Sequence, residues 1–185
     1  MTPEEQFDRA YASALRDRQE LVQFLQGVSE TQAQWRPPDG EWSILEGLEH
    51  IMLTEAFFRA RLLKVLQEAE ASGKWDNAPA HPKKMSAEAL RRREQGFVAA
   101  PDELNPRGNR AFHEMQNALL ADRESSREAL RPYRSRDLSR LLFPHPRYGE
   151  RHVYDVIEYS GIHDYLHREQ MERVTRHPGY PRHAG

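Results

Sequence analysis

Residues 158–171 read Glu158-Tyr-Ser-Gly-Ile-His163-Asp-Tyr-Leu-His167-Arg-Glu-Gln-Met171. Taken as a helix, the stretch carries an inward stripe of Val153, Val156, Ile157 and Ser160 that continues through Met171 to Val174. His163 and His167 fall on that stripe, where Leu or Ile would be expected. Side chains four residues apart lie one above the other on a helix face, roughly 5–6 Å apart at Cβ. Two imidazoles so placed can reach one metal ion. They can equally be core or pocket-lining histidines satisfied by hydrogen bonds, since burying them without partners is costly.

Composition narrows the class. At 185 residues, 38% hydrophobic and 30% charged, the chain is expected to form one domain over residues 1–176 with a flexible tail over 177–185. Helix formers dominate and alternating β-branched runs are absent, so the fold class is all-α. No run approaches the roughly 20 apolar residues of a membrane span. The polar start, Met-Thr-Pro-Glu-Glu, is not a secretory signal, which points to a cytoplasmic protein with no membrane partner. The chain has no cysteine. That excludes disulfides, thiolate zinc sites and a cysteine nucleophile, and leaves His, Asp and Glu for any transition metal. The net charge of -2 argues against a nucleic-acid partner. Basic clusters at Arg91-Arg92-Arg93 and from Arg131 to Arg140 are interleaved with acidic residues and read as solvated faces.

Capping signatures and helical periodicity divide the chain. Thr2 with Glu5 is a capping box for a first helix carrying Phe7, Tyr11, Ala14, Leu15, Leu21, Val22 and Leu25, with Gly27 as its stop. Ser29 with Gln32 repeats the box and opens a short turn. After the breaker run Trp35–Gly40, Ser43 with Glu46 opens a second helix to about Ala71, with Trp42 at the staple position. His50 lies beside that helix's stripe, in line with Gly47 and Thr54. Residues 72–108 break the periodicity, with one short helical segment expected from Ser86 to about Gly96. A third helix runs from about Arg110 to Leu130. Residues 132–149 read as a loop, in which His145 is a turn residue. A fourth helix covers about Arg151 to Arg176.

Four long helices make a four-helix bundle. Levels constrain its order. At about 1.5 Å per residue, His50 lies roughly 9 Å from the start of the second helix, and His167 roughly 10 Å from the end of the fourth. The two match only if those helices are antiparallel. That requires an up-down-down-up bundle with a crossover within residues 72–108.

Neither a phosphate-cradling glycine motif nor a Gly-x-Ser-x-Gly elbow is present. Two longer patterns carry a resemblance. Trp35-Arg-Pro-Pro-x-Gly-Glu-Trp-Ser-Ile-Leu-Glu-x-Leu-Glu-His50 resembles the second-helix entry of the DinB/YfiT-like family. His145-Pro-x-Tyr-Gly, followed by His163-Asp-Tyr-Leu-His167-Arg-Glu-Gln-Met, resembles its fourth-helix motif. The resemblance implies a four-helix bundle with a crossover and a three-histidine divalent metal site, carried over to His50, His163 and His167. Imidazole suits zinc, nickel or iron. The implied activity is that of a metal-dependent enzyme, a thiol-dependent transferase or hydrolase, acting on a small molecule such as a low-molecular-weight thiol. Glu49 and Asp164, adjacent to two of the histidines, are candidates to orient imidazoles. The alternatives are a non-catalytic, stress-associated metal-binding bundle acting through protein partners, and a scaffold without metal, with a homodimer left open. The long, proline-rich crossover departs from the family pattern and leaves the substrate undetermined.

Overall fold

Thr2, Ser29 and Ser43 each open a helix through a reciprocal pair of bonds, the cap hydroxyl accepting an N–H three residues on while that residue's side chain accepts the N–H of the cap. In a computed structural model describing residues 1–83 and 101–182, these helices are α1 (Pro3–Leu25), α2 (Glu30–Gln34) and α3 (Ile44–Ser72). Gly73, at φ +64°, ends α3 and leads into the short α4 (Lys74–Asn77). Two more helices follow, α5 (Phe112–Leu130) and α6 (Val153–Arg176). The described residues are mostly helical. The segment expected to be helical from Ser86 to about Gly96 lies within 84–100, outside the described residues.

Between α5 and α6 the expected loop contains an antiparallel hairpin, β1 (Leu142–His145) paired with β2 (Gly149–His152). Phe143 and His145 turn inward while Pro144 is exposed, a period of two too short to stand out in the sequence. His145 accepts the N–H of Arg147 through Nδ1 at 3.2 Å at the hairpin turn and is also buried, against Phe58 and Tyr159. Helix α6 begins at Val153 because the His152 ring caps it: Nδ1 accepts the N–H of Asp155 at 3.1 Å. Tyr180 is buried edge-on against Trp35, and Gln32 Nε2 donates to the Pro181 carbonyl at 2.8 Å.

Two large apolar clusters occupy the interior, beside a small one of Tyr159 and Ile162. Phe7, Tyr11, Leu62, Leu66, Leu130, Phe143, Val153 and Ile157 belong to one. Leu21, Leu25, Ile44, Leu48, Phe112, Met115, Leu119 and Met171 belong to the other. Along each long helix, buried charge separates the two groups: Asp17 and Arg18 on α1, Glu55 on α3, Arg123 on α5 and Asp164 on α6. Further bonds tie the helices together. Tyr11 Oη donates to the Ser126 carbonyl, Gln116 Nε2 to the Leu25 carbonyl, Tyr154 Oη to the Pro3 carbonyl, and Arg59 Nη1 to Asp122 Oδ1.

The approach of α1 to α6 depends on Gly161. A Cβ there would lie 2.6 Å from Ala14 Cα and 3.2 Å from its carbonyl oxygen, backbone that cannot step aside, and 2.9 Å from Asp17 Oδ2. Gly161→Ala gains about 1 kcal/mol in helix propensity but overpacks the contact. The expected net effect is a loss of about 1–3 kcal/mol, read from urea unfolding. At Gly47 the added Cβ meets only the tip of Met171, so Gly47→Ala is expected to stay within about 1 kcal/mol of wild type.

Candidate metal centre

His50 stands about two turns into α3, whose start is set by the Ser43 cap, and His163 and His167 stand one turn apart on α6. Their side chains converge. His163 Nε2 lies 3.2 Å from His50 Nε2 and 3.1 Å from His167 Nε2. The three rings offer ligand atoms all within 4.8 Å of one another, a group that could hold a metal ion.

His50 Nδ1 faces the Leu104 carbonyl at 2.8 Å, and His167 Nδ1 faces Gln170 Oε1 at 3.0 Å. Both oxygens accept, so both Nδ1 atoms carry the proton and both Nε2 atoms present lone pairs. These two lone pairs point at the Nε2 of His163, which can donate to one of them only; the Thr54 hydroxyl is a second, longer donor for His50 Nε2. Adding a proton is opposed. Burial holds the His50 and His163 imidazoles below their ordinary range, and burial together with the neighbouring His50 pushes His167 down to about 3. A cation at the common point satisfies all three lone pairs. Nitrogens about 2.0–2.1 Å from one tetrahedral ion lie about 3.3 Å apart, close to the spacing of the two pairs that meet at His163. The donor set fits a divalent transition metal.

The surroundings are aromatic on one side and mixed on the other. Trp42 stacks near His167 at 6.2 Å between centroids and tilts against His50 at 4.9 Å. A cavity of about 30 Å³, lined by Ile51, Thr54, Phe58, Val156 and Tyr159 among others, reaches His163. The Thr54 hydroxyl lies 3.4 Å from His50 Nε2.

The two acidic candidates do not orient imidazoles directly. Asp164 turns away from the histidines to accept from Arg18 Nε at 2.7 Å and Nη2 at 3.0 Å, and from Arg123 Nη2 at 2.9 Å. Glu49 accepts backbone N–H groups of Arg107 and Gly108. The residues the sequence reading missed are Arg18, Glu55 and Arg123, and the Leu104 carbonyl. The first three had a signal: each is a charged residue at a stripe position of its helix. The carbonyl had none.

The profile of the DinB superfamily matches residues 14–171, a span that includes all three histidines. The chain belongs to the DinB superfamily. A relative in Bacillus subtilis (strain 168), the uncharacterized protein YuaE, is 26% identical over 151 residues, covering 81% of this chain and 87% of that protein. No solved structure matches the chain. Among the described residues, no helix of this superfamily member is long and apolar enough to cross a membrane.

Depressed imidazoles make the metal-free fold sensitive to acid. The folded pKa of His167 lies near 3, and that of His145, lowered by burial and by Arg151 and Arg147, near 4. An unfolded histidine titrates at about 6.5. Below that pH the unfolded chain binds more protons than the native one, so stability falls as pH drops from about 6.5 towards 4. Chelator-treated protein is expected to lose about 2 kcal/mol through His167 alone between pH 6.5 and 4.5. Urea midpoints across that range check this, and His167→Gln is expected to flatten the slope.

Proposed function

We propose that this protein is a metal-dependent enzyme in which His50, His163 and His167 hold a divalent transition metal, zinc, nickel or iron. Its substrate is a small molecule such as a low-molecular-weight thiol, processed by group transfer or hydrolysis. One observation carries the reading: three Nε2 atoms crowd together, two pairs of them at 3.1 and 3.2 Å, with the lone pairs of His50 and His167 both directed at the Nε2 of His163. When bound, such an ion supplies Lewis acidity and a lowered pKa for a coordinated water or thiol.

The chain's own residues do the rest. Three protein ligands, rather than four, leave a position for substrate. The Leu104 carbonyl and Gln170 hold the His50 and His167 rings in the ligating tautomer. Trp42 shields two of the rings from water on one side. The largely apolar cavity at His163 receives an uncharged part of the substrate.

The same reading includes an up-down-down-up four-helix bundle. Its support is the order of the contacts. Pro3 with Tyr154, Ala14 with Gly161, and Arg18 with Asp164 advance together, as parallel α1 and α6 require. Leu25 with Gln116, Arg18 with Leu119, and Tyr11 with Ser126 run in opposite directions on α1 and α5. Gly47 with Met171 and His50 with His163 do the same on α3 and α6.

Zinc- and nickel-loaded protein incubated with small thiols and an electrophile, and separately with esters and amides, tests the enzymatic reading by chromatography of the products. Turnover that disappears in His163→Ala is the expected result. A loaded protein that turns over none of them would overturn it in favour of a binding role.

A further inference from the structure

We infer that Glu49 is a positioning residue for the metal centre, acting through the backbone of residues 104–108. The inference rests on the reading of His50 as a ligand. Glu49 is 3% exposed and directly precedes His50 on α3. Its Oε2 accepts the N–H of Arg107 at 2.9 Å and that of Gly108 at 2.7 Å. Gly108 sits at φ +64°, and two successive N–H groups turn onto one acceptor, as in the backbone nests that bind anions. Four residues earlier in the same strap, the Leu104 carbonyl accepts from His50 Nδ1 at 2.8 Å, and the Leu104 side chain is buried. Consecutive residues of α3 thus grip the strap at two points.

The consequence is a tautomer choice. A neutral imidazole carries its proton on either nitrogen, and only the Nδ1–H form leaves His50 Nε2 free to ligate. The Leu104 carbonyl selects that form, provided the strap stays seated. The Glu49 carboxylate seats it, through two charge-assisted bonds that are stronger than neutral ones. His50 is the one ligand of the three that stands on α3, so its orientation cannot be inherited from the α6 pair.

The test is zinc affinity, measured by competition with a chelator, together with the ring nitrogen shifts of His50 in metal-free protein. Glu49→Ala is expected to weaken zinc about 10- to 100-fold, the range for partners that orient a ligand, and to lower the Nδ1–H population of His50. Glu49→Gln keeps an acceptor oxygen and is expected to restore affinity to within a few-fold. Gly108→Ala, whose Cβ would meet nothing within 4 Å but whose φ would be strained, is expected to weaken zinc by a smaller factor. It carries the test should Glu49→Ala fail to fold. Wild-type affinity and an unchanged His50 tautomer in these variants would overturn the inference. A wild type that binds no zinc defeats the metal reading instead, and the tautomer measured on metal-free protein still decides the role of Glu49.

Discussion

Replacing Asp164 with alanine is expected to lower the unfolding free energy by about 3–5 kcal/mol, the cost of breaking a buried ion pair from one side. Arg18 and Arg123 are at most 2% exposed, and their two positive charges are balanced by Asp164 and Glu55. Asp164 takes the larger share. It binds Arg18 through both carboxylate oxygens and Arg123 through Oδ2, while Glu55 meets both guanidiniums through Oε2 alone, at 3.3 and 2.9 Å. The remaining donors are satisfied in part by neutral groups: the Leu119 carbonyl accepts from Arg18, and Ser160 from Arg123. Without Asp164 a net positive charge stays in the interior with nowhere to go. Urea unfolding at pH 7 measures the loss. The double variant Asp164→Leu/Arg123→Met keeps the buried layer neutral, with Arg18 still facing Glu55, and is expected to cost clearly less than the sum of the single changes. Additive losses would show that the four charges do not act as a unit.

Substituting His163 is expected to abolish stoichiometric metal binding. Its Nε2 is the common neighbour of the other two, so its removal leaves a pair of imidazoles contributed by different helices. Protein purified without a histidine tag and incubated with zinc or nickel is expected to retain one ion per chain, and His163→Ala none. Metal binding to the native state alone stabilises it, by about 2.7 kcal/mol when free metal is 100 times Kd. The thermal midpoint of wild type should therefore rise with added zinc while that of His163→Ala stays flat. Nickel should also quench Trp42, which packs against His50 and His167. In chelator the same substitution removes a crowded imidazole, and a change within about 1 kcal/mol is expected. Wild type that retains no ion under these conditions would remove the site.

What could be read from the chain follows from the range of the forces involved. The capping boxes at Thr2, Ser29 and Ser43 act over three residues, and each forms as its sequence requires. The pairing of His163 with His167 is a property of one helical turn and needs no other element. By contrast, the hairpin at Leu142–His152 escaped because its strands are four residues each, and Phe143 is held by an apolar cluster drawn from several helices. Tyr180 likewise packs edge-on against Trp35, far away in sequence.

The buried charges mark the division most clearly. Arg18, Glu55, Arg123 and Asp164 each sit at a stripe position where a helix turns inward, and that much is visible in one helix at a time. Whether such a residue is tolerated there depends on an opposite charge arriving on another helix, because a lone buried charge is prohibitive and a matched set is not. The sequence by itself determined the long helices and their inward faces, which depend on contacts within a turn or two, and named His163, His167 and, through the family resemblance, His50 as candidates. Only the tertiary structure decided the rest. His50 meets His163 across 113 residues of chain, and the Leu104 carbonyl that orients it belongs to a backbone group that carries no residue-specific signal.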